Sequence, residues 1–283
     1  MVNTEGVRLT KHHGAGNDFL VMLDRDGVRP LSGAEVRALC DRRRGVGADG
    51  VLRATAGQNG ADLTMQLRNA DGGEAEMSGN GIRCLVQAAV DAGWVPPGPV
   101  SVATGVGLRV VDYRCGDHPG QGYAGVDMGP VTLGSELLLD VAPDLSYART
   151  VDVGNPHIVL FGPEVDDATV ATVGPRLEHS VETRANVEFV WAGSETDELC
   201  LRVWERGVGE TLACGTGTCA AVAAAHSWGL VGSRVLVHNP GGTLEVEMRG
   251  DGVWLAGPTQ KVADIIVDAS LLADLTALGG HRR

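Results

Sequence analysis

The chain is predicted to be an α+β protein of two pseudo-symmetric domains that arose by internal duplication, each a curved, mostly antiparallel sheet around a central helix. Three observations carry this. Residues 73–81 read Gly-Glu-Ala-Glu-Met-Ser-Gly-Asn-Gly and residues 209–217 read Gly-Glu-Thr-Leu-Ala-Cys-Gly-Thr-Gly, so that Glu74 and Glu210, like Ser78 and Cys214, lie 136 residues apart (210 − 74 and 214 − 78). The echo extends outward: Asn17 and Asn155 are 138 apart (155 − 17), and Asp49 and Asn186 are 137 apart (186 − 49). Finally, short strand-like runs outnumber helical ones, and 41 glycines and 12 prolines divide them with tight turns.

Taken in order, strand patterns fall at Val7–Thr10, Phe19–Leu23, Leu63–Asn69, Val106–Tyr113 and Gly122–Met128 in the first half. In the second they fall at Thr150–Val153, His157–Leu160, Val187–Val190, Glu198–Glu205, Arg234–His238 and Thr243–Met248. Helical signals are fewer: Ser32–Asp41 with Ser32 as N-cap, one helix behind each repeated motif (Ile82–Val90 and Cys219–Ala225), and one at Ser270–Leu278. The domains are placed at 1–122 and 123–261, with Tyr123–Pro130 carrying the chain across and 262–283 packing back on the first. The halves are expected to face one another, each offering one side-chain head, at residue 78 or 214.

Each motif opens a helix. Glycines let backbone approach a ligand closely, and the first helical turn presents unpaired N–H groups with positive partial charge, a site for carboxylate or phosphate. The same field is expected to lower the pKa of a thiol at the helix start. Two converging helix starts, each with an acid/base head, would clamp an amino-acid carboxylate and serve opposite faces of Cα, which is racemisation or epimerisation chemistry.

Composition narrows the field. A net charge of −13 and a pI near 5.0 argue against nucleic-acid and membrane-surface partners. No apolar run approaches a membrane span and Met1–Thr10 lacks a signal-peptide core, so a cytoplasmic location is expected. The six cysteines, 40, 84, 115, 200, 214 and 219, read as reduced thiols, and Cys214-x4-Cys219 has no second ligand pair to make a metal site. Lys11 and Lys261 are the only lysines, neither in a setting for a pyridoxal-phosphate Schiff base, and neither a dinucleotide-binding nor a Walker-type glycine motif is present. No cofactor and no metal are expected.

Longer stretches then carry a resemblance. Asn69-Ala-Asp-Gly-Gly-Glu-Ala-Glu-Met-Ser78-Gly-Asn-Gly-Ile-Arg-Cys84, Gly154-Asn-Pro-His157, Glu205-Arg-Gly-Val-Gly-Glu-Thr211 and Ala213-Cys-Gly-Thr-Gly-Thr218 resemble the signatures of the diaminopimelate epimerases, as does the span from Lys11-His-His-Gly-Ala-Gly-Asn-Asp-Phe19 to Gly257-Pro258. The resemblance implies a pseudo-symmetric two-domain fold, a homodimer, and cofactor-free interconversion of LL- and meso-diaminopimelate by two cysteines. Cys214 matches the second cysteine; Ser78 stands at the first. It further implies that Asn17, Asn69, Asn155, Asn186 and Arg206 hold the distal amino-carboxylate arm with Glu205 on its ammonium side. Gly79, Asn80, Gly215 and Thr216 would supply N–H groups to the reacting carboxylate. A guanidinium fork and amide oxygens suit such a zwitterion. Gly50 stands where the family often has glutamine.

Plainer readings stand beside these. Ser78 could be an N-cap and nothing more, and Cys214 a small buried hydrophobe. His157 is either a structural histidine or a group that shapes the thiol's surroundings. Glu74 and Glu210 are read as braces of the motif loops rather than general bases. Functionally, the alternatives are an epimerase in which Ser78 supports slow or altered chemistry, a Cys-to-Ser form of an ordinary member, a racemase or β-eliminating enzyme acting on another amino acid, and a non-catalytic amino-acid-binding homologue. A phenazine-pathway-type isomerase of similar fold is disfavoured by the Cys-Gly-Thr-Gly motif.

Overall fold

A computed structural model describes residues 6–138, 146–180, 184–250 and 252–268. The chain clusters into two units: 6–14, 18–124 and 258 onward in the first, and 15–17 with 125–257 in the second. The chain passes between them within single strands, at 124/125 and 257/258, where the sequence places the boundaries at 122/123 and 261/262.

The first unit runs β1 (Val7–Gly14), β2 (Asn17–Leu23), α1 (Gly33–Cys40), β3 (Gly50–Ala56), β4 (Leu63–Asn69), β5 (Glu74–Ala75), α2 (Gly79–Asp91), β6 (Gly98–Thr104), β7 (Gly107–Cys115) and the first part of β8 (Gln121–Pro130). The second runs β9 (Thr132–Glu136), β10 (Tyr147–Asp152), β11 (Pro156–Phe161), α3 (Asp167–Glu178), β12 (Asn186–Ala192), β13 (Glu198–Glu205), β14 (Gly209–Thr211), α4 (Gly215–Ser227), β15 (Arg234–Asn239), β16 (Gly242–Arg249) and the first part of β17 (Gly252–Val267), whose remainder pairs antiparallel with β1.

The two topologies match strand for strand. β2 and β3 are parallel, β3 and β4 antiparallel, and β4 and β6 parallel; β11 and β12, β12 and β13, and β13 and β15 repeat the series. Each unit is thus mostly antiparallel with two parallel pairings made possible by helical crossovers, α1 or α3 on one and α2 or α4 on the other. The register also refines the duplication. Phe19 pairs with Gly50 as His157 pairs with Asn186, so the counterpart of Asn186 is Gly50, at the common offset of 136 (186 − 50), rather than Asp49.

The central helices are buried almost all round, and their sequences allow it. α4 is a run of Cys219, Ala220, Ala221, Val222, Ala223, Ala224 and Ala225, small enough for strands to approach closely on every side. α2 buries Ile82, Cys84, Leu85 and Val86 together with Arg83 and Gln87. A smaller core lies under each outer helix: Val36 and Leu39 pack with Leu20, Met22 and Val51 in the first unit, and Val170, Val173 and Leu177 with Ile158, Leu160 and Phe189 in the second. Helix α3 is absent from the sequence-based expectation because Gly174-Pro175 interrupts its pattern. Gly174 is needed there, since a Cβ would lie 2.7 Å from the Trp204 ring. The helix expected at Ser270–Leu278 lies outside the described residues.

A buried ion pair ties β2 to β3. Arg53 Nε and a terminal nitrogen donate to Asp24 Oδ2 at 2.9 and 2.5 Å, while the N–H groups of Val28 and Arg29 donate to the same carboxylate. Burial alone would raise the Asp24 carboxyl; these donors outweigh it and hold the group below the usual carboxylate range. Removing one partner strands the other, so Asp24→Ala is expected to cost about 3 kcal/mol or more in urea unfolding. Because the folded-state pKa is depressed, the wild-type contribution is complete above about pH 5 and is lost progressively as pH falls through the unfolded and then the folded value, whereas the variant lacks that part of the acid sensitivity.

Candidate active site

The two motif residues occupy the same structural position. Ser78 is the N-cap of α2, extended at φ −143° and ψ 121°, and its Oγ accepts the Gly81 N–H at 3.0 Å. Cys214 is the N-cap of α4 at φ −120° and ψ 118°, and its Sγ accepts the Gly217 N–H at 3.4 Å. The main-chain bonds repeat too: Ile82 N–H to Ser78 O and Thr218 N–H to Cys214 O, both 2.9 Å. The longer bond to sulfur reflects its larger radius and weaker acceptor strength. Gly79 with Asn80, and Gly215 with Thr216, are the first two residues of their helices, where N–H groups point out of the helix start.

The second unit gathers most of the remaining site residues. Asn155 follows Gly154, whose φ of +87° makes the turn into β11. Asn186 opens β12, and its Oδ1 accepts the Arg206 N–H at 2.8 Å, fixing the turn after β13. Glu205 ends β13 and accepts a short hydrogen bond from the Thr211 hydroxyl, while Arg206 is exposed on the turn. Asn17 falls with this unit, next to Gly16, where a Cβ would lie 3.1 Å from Leu212. In the first unit, Asn69 ends β4 exposed and turns back through its N–H to Gly73 O at 2.9 Å, and Asn80 Oδ1 accepts from Arg83 at 2.5 Å. At Gly50 a side chain would start 2.7 Å from Arg68 O, so the backbone of β4 closes the space an amide would need.

Glu74 and Glu210 do brace the loops: Arg68 donates to Glu74 at 2.6 Å and Arg202 Nε to Glu210 at 2.7 Å across the short β5 and β14 pairings.

The thiol departs from expectation. Burial raises Cys214 well above the ordinary thiol value, and the carboxylates of Glu205 and Glu188 push the same way; the Thr216 hydroxyl and the Gly217 N–H pull it down but do not prevail. The helix start was expected to favour the anion. Removing the thiol from water and placing it near two carboxylates overrides that effect, so the substrate-free resting form is the neutral thiol.

Sequence reasoning passed over Glu188. It is fully buried on β12 and hydrogen-bonds His157 at 2.7 Å. The available signal was a lone carboxylate inside the apolar run Val187–Val190. Among the described residues no three His, Cys, Asp or Glu side chains converge as a metal site.

The family model for diaminopimelate epimerase matches residues 9–134 and 149–262. The chain belongs to the diaminopimelate epimerase family. A diaminopimelate epimerase of Synechocystis sp. is 39% identical over 274 residues, covering 89% of this chain and 96% of the relative. One of a Synechococcus species is 42% identical over 277 residues, covering 89% and 95%. The chloroplastic diaminopimelate epimerase of Oryza sativa subsp. japonica is 38% identical over 284 residues, covering 90% and 78%. Among solved structures, a hydroxyproline epimerase from Agrobacterium vitis matches with a TM-score of 0.74 at 16% identity, covering 95% of this chain and 94% of the other. A PhzF-family phenazine biosynthesis protein of Bacillus anthracis matches at 0.71 and 14%, covering 93% and 99%. These last two share the α+β fold.

The caps sit in unequal packing, which substitution can read. A Cβ on Gly217 would lie 2.6 Å from Glu188 Oε1, a fully buried and hydrogen-bonded atom, whereas one on Gly81 would meet Ser78 and Leu52 no closer than 3.1 Å. Gly217→Ala is therefore expected to destabilise by about 1–3 kcal/mol in urea unfolding. Gly81→Ala should stay within about 1 kcal/mol of wild type, because the helix gains alanine propensity against a milder contact.

Proposed function

We propose that this protein interconverts LL- and meso-diaminopimelate by moving the Cα proton, with Cys214 and Ser78 as the groups that serve the reacting carbon, and that it works as a cytoplasmic homodimer without a cofactor. The observation that carries the reading is the same N-cap construction at Ser78 and Cys214 in a chain of this family. A head group that caps a buried helix is held in one rotamer, and the N–H groups of Gly79, Asn80, Gly215 and Thr216 lie immediately beside those heads. At either helix start a bound carboxylate brings its Cα within reach of that unit's cap residue, and the N–H dipoles offset the charge that grows on it as the Cα proton leaves. Asn17, Asn69, Asn155, Asn186, Glu205 and Arg206 are assigned to the distal amino-carboxylate arm, Arg206 as the exposed guanidinium for its carboxylate. No helix among the described residues is long and apolar enough to cross a membrane.

The two heads are chemically unequal. A serine hydroxyl is intrinsically a far weaker acid than a thiol, so Cys214 is the head assigned to proton removal. Proton removal is thus one-sided. In deuterated water one epimer should exchange its Cα hydrogen faster than the product epimer appears, and Cys214→Ala should abolish the exchange; equal rates of exchange and inversion, followed by NMR and chiral chromatography, would overturn the assignment.

Restoring a thiol at the first cap should restore inversion. Ser78→Cys replaces one atom in a position that already accepts a thiol's geometry in the other unit, so binding should be unchanged. Turnover should rise by at least about 100-fold, the contribution of one positioned acid/base. If it does not rise while calorimetry shows no binding of either diaminopimelate epimer, another amino acid is the substrate.

A further inference from the structure

The two units differ where their equivalent strands pass beneath the cap. In the first unit the positions on β2 and β3 are Phe19 and Leu52; in the second, on β11 and β12, they are His157 and Glu188. A Cβ on Gly81 would meet Leu52 Cδ2 at 3.3 Å, and one on Gly217 would meet Glu188 Oε1 at 2.6 Å, so a carboxylate lies under the Cys214 helix start where its counterpart has a methyl group. Glu188 is 0% and His157 1% exposed, and Glu188 Oε2 has no hydrogen-bond partner among the described residues. Burying a carboxylate so incompletely satisfied is costly. The Phe19–Leu52 counterpart demonstrates that this fold is built equally well without it.

What the charge supports is a chain of hydrogen bonds leading to the thiol. His157 Nδ1 lies 2.7 Å from Glu188 Oε1, and its Nε2 lies 2.9 Å from Asn155 Oδ1. Asn155 Nδ2 donates to Thr216 Oγ1 at 3.4 Å, and Thr216 Oγ1 lies 3.4 Å from Cys214 Sγ. Two acceptor oxygens flank the imidazole, so each contact needs a hydrogen between its two atoms, and at Nε2 the ring N–H donates to Asn155 Oδ1. With the Asn155 amide oriented in this way, Thr216 accepts from Asn155 and its own hydroxyl hydrogen is left to donate to sulfur.

We infer that Glu188 is a positioning residue for the acid/base chemistry of Cys214, acting through His157 and Asn155 to aim the Thr216 hydroxyl at the sulfur. No proton travels along the chain. Its role is to keep a donor on Sγ when the thiol proton leaves, on the Cys214 side alone. The inference rests on Cys214 being a reacting group, but its test needs no substrate.

The test is the rate at which iodoacetamide alkylates Cys214 in the full-length, substrate-free protein, followed by mass spectrometry of the Cys214 peptide, in Glu188→Leu, His157→Phe and the double variant that reproduces the Phe19–Leu52 pair. His157→Phe, which breaks the chain and leaves the Glu188 carboxylate in place, should slow alkylation by about tenfold, the effect of losing one hydrogen bond to a charged group, while Glu188→Leu and the double variant, which break the same chain but also remove a carboxylate that holds the thiol up, should be slowed less. If Glu188 acted only through its charge, its removal would speed alkylation. Faster or unchanged alkylation, or losses that multiply in the double variant, would overturn the inference. Should Glu188→Leu fail to fold with its histidine stranded, the double variant, apolar as its counterpart is, decides: slowing supports the chain and an unchanged rate refutes it. Failure of the epimerase reading would appear separately, as wild-type protein exchanging the Cα hydrogen of neither diaminopimelate epimer.

Discussion

A helix that begins inside a protein must find partners for its first N–H groups, and most of this structure follows from meeting that demand twice. α2 and α4 are enclosed along nearly their whole length, so water cannot satisfy their starts. A small side chain with a hydrogen-bond acceptor must cap each one, and Ser78 and Cys214 do so with the same backbone geometry. The cap bond also fixes the orientation of a hydroxyl or thiol head beside the outward-pointing N–H groups of the first turn. Structural and chemical requirements coincide at one residue. That coincidence explains how serine can stand in for a thiol without altering the fold: oxygen caps at 3.0 Å where sulfur caps at 3.4 Å.

Duplication supplied two equal scaffolds, and substitution then made them unequal in charge. The strands repeat in order and register, yet Phe19 and Leu52 in one unit answer to His157 and Glu188 in the other, and Asn69 answers to Glu205 at the same offset of 136 (205 − 69). The acidic groups collect around Cys214. Burial first, and these carboxylates with it, push its thiol up despite its capping a helix, which a pure helix-dipole argument would not anticipate. A neutral buried thiol is also protected from oxidation, and ionising it calls for a positioned donor such as the Thr216 hydroxyl.

The sequence was most legible where local patterns and tertiary demands agree. Leu63–Asn69 and Glu198–Glu205 are strands with the expected bounds, because each alternates buried and open residues on a half-exposed sheet. Strand β3 was not anticipated: Gly50–Ala56 opens on a glycine and is buried through its first five residues, so it lacks alternation. Nor was β17, whose sixteen residues include Gly257-Pro258 at the passage between units. The pairing of Asp49 with Asn186 was one residue out, because loop lengths drift between the halves and only the strand register identifies Gly50 as the true counterpart.

By itself the sequence determined the duplication, the family, and the identity of the residues at the two helix starts, since glycine-flanked caps and their spacing are local properties that survive in one dimension. Tertiary structure decided which of those residues work on one another. The His157–Glu188 pair joins residues 31 positions apart, and the Asn155–Thr216 contact joins residues 61 apart. Burial, invisible in spacing, set the state of the Cys214 thiol. Proximity and desolvation depend on which strands lie side by side, and that is settled only when long-range pairing closes the sheet around each helix.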